Sequence, residues 1–376
     1  MAALQHEYPD MGQRKALVGA SRGNYKLLTN VSMPRIGPGT MLCKTVVVAL
    51  NQADAKTIDY SPSPGSIGGN EFSGVVMQVG EKVERFRPGD RVCGLAFGLN
   101  VDDKATGAFS DYVLAVEDVT CRIPPSISFE EASTLTVAGG TAGYSLYQHL
   151  KLPMPGVLNG PSFYVLVSGG ATSTGMMAIQ LLRNSGLRPI ATCSPEREGF
   201  LRSLGAVRTF DYHLPGCGSE IRNYTENSLS FVLDCITTPE TTRMCYDAIG
   251  TKGGRYLGLE PVSARVKYTR RDVSADWVVA LSLFGIPVRL PGIYGRQASP
   301  DDRCFAAQFY AAFEALIEQN LLVPPRFEVQ SGGLEALEEG IEKLRQGRAM
   351  WSGIAISNPR ELPHLVILAG SKIHRL

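Results

Sequence analysis

A glycine-rich stretch in the middle of the chain has the composition of a phosphate-binding turn. An apolar helical segment follows the run Val165-Leu166-Val167-Ser168-Gly169-Gly170-Ala171-Thr172-Ser173-Thr174-Gly175. Glycines let the backbone turn tightly after a strand, and the next helix presents N–H groups to a pyrophosphate. Thr172 stands where a second glycine is usual, so the hydroxyls of Thr172, Ser173 and Thr174 are candidate phosphate donors. A capped turn without a ligand is the competing interpretation, but the position at the first strand of a βαβ series favours a dinucleotide.

The end of the second strand of that series predicts which dinucleotide binds. NAD sites commonly carry Asp or Glu about 20 residues beyond the glycines, where the carboxylate accepts from the ribose. This strand ends in Ala191-Thr192-Cys193-Ser194-Pro195-Glu196-Arg197. Ser194 can donate to a 2′-phosphate and Arg197 can neutralise it, whereas Glu196 is expected to turn outward. The pattern favours NADPH, although a solvated Arg197 at a helix start would need no ligand to explain it.

The elements that must position these residues change character along the chain. Short apolar runs in the first third predict strands at Thr45–Leu50, Gly74–Val79, Arg91–Leu95 and Asp111–Val116. Beyond a Pro- and Gly-rich boundary at Pro153–Pro161, strands alternate with helices, as in a doubly wound parallel sheet. Strands are expected at Phe163–Val167, Pro189–Cys193, Phe231–Asp234 and Tyr256–Leu259. Helices are expected at Met176–Asn184, Glu196–Leu204, Asp301–Asn320 and Leu334–Arg345, with a last strand at Gly353–Ser357.

Composition argues against several classes of function. The 37 basic residues nearly balance the 36 acidic ones, so the concentrated positive field that nucleic acid requires is missing. No apolar run reaches the ~18 residues of a membrane span, and the polar start does not resemble a signal peptide. The eight cysteines are scattered without metal-ligand spacing, which indicates free thiols in a reducing compartment. We therefore expect a cytoplasmic protein.

Three motifs carry a family resemblance: Gly68-Gly69-Asn70-Glu71-Phe72-Ser73-Gly74, Arg87-Pro88-Gly89-Asp90-Arg91-Val92 and Gly107-Ala108-Phe109-Ser110-Asp111-Tyr112-Val113. They resemble the GroES-like half of medium-chain dehydrogenases/reductases. The resemblance implies an α/β protein with a GroES-like β-barrel catalytic domain at 1–158 and 296–376 and a Rossmann domain at 159–295. Zinc-dependent members need Cys- or His-type ligands, but Asn51 and Asn70 hold the matching positions. A zinc-free reductase that delivers hydride to a polarised C=C bond is therefore expected.

Further strings carry a narrower resemblance: Asn51-Gln52-Ala53-Asp54-Ala55-Lys56, Ile190-Ala191-Thr192-Cys193-Ser194-Pro195, Leu233-Asp234-Cys235-Ile236-Thr237 and Tyr294-Gly295-Arg296. They are similar to the trans-acting enoyl reductases of fungal polyketide biosynthesis, the lovastatin type. This implies reduction of an α,β-unsaturated thioester held on a polyketide synthase, or on a polyketide synthase–nonribosomal peptide synthetase hybrid, with NADPH. A free-standing quinone or alkenal reductase fits the same motifs, and a non-catalytic scaffold would keep the same fold. A monomer is expected because Pro287, beside a last strand placed near Phe284, would interrupt pairing between copies.

The resemblance also assigns site residues. Lys56 is expected to be catalytic, either on the cofactor ribose or by polarising the substrate carbonyl as enolate charge develops; a solvated surface lysine is the competing interpretation. Cofactor contacts are expected at Ala53, Asp54, Ala55, Lys56, Ala171, Thr172, Ser173, Thr174, Ser194, Pro195, Glu196, Arg197, Tyr212, Leu259, Glu260, Met350 and Trp351. Substrate contacts are expected at Thr141, Ala142, Gly143, Tyr144, Ser145, Leu146, Tyr147, Gln148, Leu281, Ser282, Leu283, Phe284 and Gly285. No metal ligand is expected, and the proton donor is either Tyr60 or water.

Overall fold

The N-terminal half of the molecule is built mainly from antiparallel strands. In the computed structural model, which describes residues 12–347 and 354–357, β1 (Gln13–Ser21) pairs with β2 (Asn24–Ser32) as a hairpin. A larger sheet contains β3 (Thr40–Leu50), β4 (Glu71–Val79), β5 (Arg91–Leu95), β6 (Tyr112–Val116) and β7 (Thr120–Arg122). Two late strands, β14 (Glu328–Ser331) and β15 (Ile354–Ser357), extend it in the order β14-β15-β3-β4-β5-β7, and β6 pairs with β3.

Short helices connect and cover this sheet. They are α1 (Gln52–Tyr60), α2 (Phe129–Ala132) and α3 (Thr136–Gly143), which continues into a π-helical turn at Tyr144–His149. Late in the chain, α9 (Pro300–Glu318) and α10 (Leu337–Arg345) return to the same half. A π-helical turn places an extra residue in the helix and is frequent at functional sites.

The middle of the chain forms a parallel sheet with helices between the strands. Along the chain its elements are β8 (Tyr164–Ser168), α4 (Ser173–Asn184), β9 (Arg188–Cys193), α5 (Glu198–Leu204), β10 (Arg208–Asp211), α6 (Cys217–Tyr224), β11 (Phe231–Asp234), α7 (Pro239–Ala248), β12 (Gly254–Gly258), α8 (Ala264–Lys267) and β13 (Val273–Trp277). The strand order is β10-β9-β8-β11-β12-β13. The order reverses between β8 and β11, and ligands of such sheets bind at the carboxyl ends of the strands there. The sheet lies within the predicted segment 159–295, whose boundaries stay a prediction.

Most elements expected from the sequence form within a few residues of their predicted bounds, and β5 and β11 have those bounds unchanged. The β1–β2 hairpin was not expected because its first strand begins in a polar stretch. Arg14 is nevertheless 1% exposed and donates to the carbonyls of Ser32, Ala105 and Tyr112. Hydrogen bonds to carbonyls far away in the sequence stabilise this buried guanidinium. The periodicity of the sequence does not reveal such bonds.

One expectation about the edge of the parallel sheet was wrong. The last strand ends at Trp277, and Ala280–Phe284 form a 3₁₀ turn rather than the strand that we placed near Phe284. Pro287 therefore lies outside the edge strand and does not protect it from pairing. Pro287 therefore gives no reason to expect a monomer.

Helix α3 packs closely on α9 through glycines. A Cβ atom on Gly139 would lie 2.2 Å from the Phe313 ring, and one on Gly143 would lie 2.1 Å from the Phe309 ring. Both rings belong to the largest hydrophobic cluster, which also contains residues of β8 and α4. The two halves of the molecule thus share one core, and this core fixes α3 beside the carboxyl edge of the parallel sheet. None of the described helices is long and apolar enough to cross a bilayer.

Candidate active site

The glycine-rich turn after β8 has the geometry of a pyrophosphate cradle. Gly169 has a φ of +75°, and its N–H donates to the Thr192 hydroxyl (3.0 Å) at the end of β9. A Cβ atom on Gly175 would lie 2.4 Å from the Gly169 carbonyl oxygen, so only glycine lets α4 begin this close to the turn. The close approach leaves the N-terminus of α4 at the carboxyl end of β8. This observation fits a dinucleotide pyrophosphate.

The hydroxyl of Thr172 already has two partners inside this turn. It accepts from Gly175 N–H (3.0 Å) and donates to the Gly169 carbonyl (2.9 Å), so it caps α4. A hydrogen bond from Thr172 to phosphate would require the second of these bonds to break. The backbone N–H groups of the helix start are therefore the better placed donors.

The residues expected around the adenosine lie at the ends of β9 and β10. Ser194 and Arg197 are half-buried at the end of β9, whereas Glu196 is exposed. Tyr212 is 47% exposed beyond β10, and its ring lies 4.0 Å from that of His213. An exposed aromatic ring beside a serine and an arginine can cover an adenine and bind a 2′-phosphate. Met350 and Trp351, the predicted late cofactor contacts, lie outside the described residues.

Lys56 and Glu260 come together from opposite walls of a cleft, although 204 positions separate them. Lys56 is on α1, Glu260 lies just beyond β12, and Nζ is 2.5 Å from Oε1. The Tyr294 hydroxyl donates to the other oxygen, Oε2, at 2.9 Å. Burial, followed by this hydrogen bond, raises the pKa of Tyr294 to about 12, so its phenol stays protonated. The cleft therefore contains an ion pair in which the Lys56 side chain, 63% exposed, contacts a carboxylate that Tyr294 also binds.

No role was expected for Tyr294, although it belongs to the string Tyr294-Gly295-Arg296 that carries part of the resemblance. Its ring lies 5.1 Å from Tyr60 and 5.3 Å from Trp277. Tyr60, a candidate proton donor, donates to the Pro291 carbonyl at 2.9 Å. Only the folded chain brings these aromatic residues around Lys56, since they come from α1, β13 and a later loop.

The predicted substrate wall separates into two faces. Thr141 and Gln148 are half-buried, and the Gln148 amide donates to Asp302 (3.2 Å). Tyr144 is 3% exposed and packs into the core, where burial and the neighbouring Asp302 raise the pKa of its phenol. Five other predicted wall residues also pack into the core: Ala142, Gly143, Leu146, Tyr147 and Leu283. Of the residues named here, Thr141 and Gln148 are the ones that a substrate in the cleft can reach.

The positions that match zinc ligands hold a buried network of amides and carboxylates. The Asn51 amide donates to Glu71 Oε1 (2.9 Å), and the Asn70 amide donates to Asp54 Oδ1 (2.7 Å). Asp54 Oδ2 accepts from Asn51 N–H (2.7 Å), and Glu71 Oε2 accepts from Val137 N–H (2.8 Å). Both carboxyls are 1% exposed, and burial raises the pKa of each to about 7. The side-chain nitrogens at both positions are therefore hydrogen-bond donors, whereas a metal ligand must offer a lone pair.

Two predicted cofactor contacts belong to this network rather than to the cleft surface. Asp54 has both oxygens bound by protein donors, and Ala55 is 3% exposed. They hold the start of α1 and so position Lys56. Within residues 12–347 and 354–357, no three His, Cys, Asp or Glu side chains form a group that could hold a metal ion.

Comparison with known proteins finds similarity over most of the chain. Residues 37–125 match the family model described as "Alcohol dehydrogenase GroES-like domain", and residues 173–259 match the one described as "Zinc-binding dehydrogenase". A trans-enoyl reductase of Gibberella fujikuroi is 47% identical over 335 residues, which are 89% of this chain and 96% of that protein. Trans-enoyl reductase grgB of Penicillium sp is 46% identical over 336 residues, 89% of this chain and 95% of that one.

Among solved structures, the CurK enoyl reductase superposes with a TM-score of 0.72 at 20% identity, over 92% of this chain and 99% of that chain. Identity this low supports the fold alone. The predicted architecture, a GroES-like half joined to a doubly wound parallel sheet, is confirmed.

Proposed function

The chain belongs to the trans-enoyl reductases of the medium-chain dehydrogenase/reductase family, and we propose that it uses NADPH to reduce an α,β-unsaturated thioester held on a polyketide synthase. The observation that carries the proposal is the Lys56–Glu260 pair, which lies in the cleft beyond a turn shaped for a dinucleotide. When bound, the nicotinamide cofactor supplies hydride to the β-carbon of the enoyl group.

The residues of the cleft stabilise charge rather than form bonds to the substrate. In this proposal the Lys56 ammonium stabilises the negative charge that develops on the thioester oxygen as the enolate forms. Glu260 and Tyr294 hold it from the opposite wall. The buried Asn51–Glu71 and Asn70–Asp54 bonds fix α1 from the other side, which supports a reaction without a metal ion. The α-carbon proton comes from water or from Tyr60, which would first have to release Pro291.

The proposed preference for NADPH rests on two residues, Ser194 and Arg197. Ser194 and Arg197 are at the end of β9, where a 2′-phosphate would lie, and the one acidic residue between them is exposed. An arginine can bind this phosphate with two hydrogen bonds, whereas an NAD site would place a carboxylate there.

The proposal is tested by supplying the substrate in two forms. Purified protein is mixed with NADPH and either an enoyl thioester on an acyl carrier protein or a small free enone, and loss of NADPH absorbance is followed. We expect oxidation with the carrier-bound thioester and slower or no oxidation with the enone. Rapid oxidation with the enone alone would favour a quinone or alkenal reductase. Absence of NADPH binding would leave only a scaffold.

The identity of the partner is a further part of the proposal. A polyketide synthase and a polyketide synthase–nonribosomal peptide synthetase hybrid both present the substrate as a thioester on a carrier domain. Carrier domains excised from each kind of synthase, loaded with the same enoyl group, would separate the two partners by kcat/KM.

A further inference from the structure

A cavity of about 410 Å³ opens beside the Lys56–Glu260 pair and has no role in the reaction described above. Its walls come from four segments of the chain. They are the residues after β12, the end of α8, the end of β13, and the loop before α9, with His149 closing one side. The lining includes both charged and aromatic side chains: His149, Pro261, Lys267, Asp276, Trp277 and Arg296.

Residues that line this cavity adjoin residues on both walls of the active-site cleft. Pro261 directly follows Glu260, whose carboxylate binds Lys56. The Trp277 ring lies 5.3 Å from Tyr294, which donates to the same carboxylate. On the other side, the His149 ring lies 4.6 Å from Tyr144 on the substrate wall. An extended molecule with its reacting end at Lys56 would therefore pass Tyr294 and Trp277 into the cavity.

The charges at the cavity suit an anion. The Arg296 guanidinium lies over the Trp277 ring at 4.2 Å and donates to the Ile293 carbonyl at 2.7 Å, so its position is fixed. Lys267 is half-buried at the end of α8. Within the described part of the chain, no carboxylate forms an ion pair with either cation. Asp276, the one acidic lining residue, lies 3.9 Å from His149 Nδ1.

We propose that this cavity binds the phosphopantetheine arm of the thioester substrate, with Lys267 and Arg296 facing its phosphate. The inference rests on the proposed function, because it requires a substrate tethered through such an arm. The arm has amides and methyl groups between sulfur and phosphate, and Trp277 and Val262 offer it apolar contacts. Carrier domains and coenzyme A present the same arm, so the site recognises a chemistry that both share.

The test compares thioesters of one enoyl group that differ only in the arm. Pantetheine lacks the phosphate, whereas 4′-phosphopantetheine, coenzyme A and a carrier protein have it. For the unmodified protein we expect a higher kcat/KM with 4′-phosphopantetheine than with pantetheine. Lys267→Gln should lower this preference about fivefold, as expected for one charge-assisted contact to phosphate. Lys267→Arg should retain it. Lys252→Gln, which removes an exposed lysine at the opposite end of β12, is the matched control.

The outcomes separate the inference from the function on which it rests. If the unmodified protein reduces the pantetheine thioester but shows no phosphate preference, or if Lys267→Gln leaves that preference intact, the inference is wrong and the reductase activity stands. If it reduces none of the thioesters, the proposed function fails as well. A preference that appears with the carrier protein and not with coenzyme A or 4′-phosphopantetheine would place recognition on the carrier surface, and this also overturns the inference.

Discussion

At the scale of single residues, the proposed chemistry depends most on the charge of Lys56. It lies on a helix whose start is fixed by Asp54, and its ammonium contacts a carboxylate of the opposite wall. Removing a positioned donor to a developing oxyanion commonly costs ~100-fold or more in rate.

We expect Lys56→Met to lower kcat on an enoyl thioester by about 100-fold, because the enolate charge would lose its cation. NADPH binding, followed by fluorescence, should change by much less. Lys252→Met is the control for loss of a surface charge. A variant that keeps full kcat would show that Lys56 has only a surface role.

We also expect single side chains to decide the preference for NADPH over NADH. Arg197→Ala should lower kcat/KM for NADPH by about 10-fold or more and leave the value for NADH nearly unchanged, because only NADPH carries the 2′-phosphate. Arg202→Ala, on the helix that begins at the next residue, removes an exposed arginine that pairs with Glu198 and serves as the control. Equal losses with both cofactors would argue against a 2′-phosphate contact.

The buried carboxyls predict a dependence of stability on pH. Burial raises the pKa of Glu71 to about 7, above the ~4.3 of an unfolded chain. At pH values from ~4 to about 7, the folded protein binds this proton more tightly than the unfolded chain does. The free energy of unfolding therefore falls as the pH rises through this range.

Glu71→Gln should therefore raise Tm relative to the unmodified protein more at pH 8 than at pH 5.5. Asp54→Asn should lower Tm at both pH values, because Asn70 Oδ1 already accepts from Gly98 N–H and its amide cannot turn. Thermal unfolding followed by circular dichroism measures both, and a Glu71→Gln variant with no pH-dependent difference would contradict this account.

At the scale of elements, the contact between α3 and α9 positions the substrate wall. Gly143 ends α3 and lies against Phe309, which is stacked on Phe305 and Phe313 and cannot easily move. The wall residues Tyr144 and Gln148 follow directly, so their position depends on this packing.

Gly143→Ala should lower the free energy of unfolding by about 1–3 kcal/mol, because the added methyl group overlaps a buried ring. Gly199→Ala is the matched control: it lies within α5 with no atom near its Cβ position, so it should be neutral or slightly stabilising. Denaturant titration gives both values. A neutral Gly143→Ala would mean that α9 can shift freely.

At the scale of the whole molecule, the two halves are joined by polar contacts as well as by the common core. The Tyr147 hydroxyl lies 3.0 Å from that of Ser185, and Gln180 of α4 bonds the backbone of Val323. Within the barrel half, Glu314 of α9 also binds Arg85 and Arg122. These contacts favour a cleft whose walls keep their relative positions in a single copy of the chain.

We expect a monomer, because the Asp276 side chain is 69% exposed on the edge strand β13 and would oppose pairing with a second copy. Light scattering across a range of protein concentrations measures the mass. A dimeric mass, lost in a variant with a proline introduced by Ala275→Pro, would show that β13 is an interface.

The sequence by itself indicated the strand–helix alternation of the parallel sheet and four of its six described strands, the glycine turn and the Asn51 and Asn70 positions. Each of these depends on residue type and local spacing. The tertiary structure decided which of the predicted site residues meet. It paired Lys56 with Glu260, added Tyr294 and Trp277, and turned Leu146 and Tyr147 into the core. Such contacts join residues far apart in the chain, and only the packing of α3, α9 and the two sheets against one core sets the distances between them.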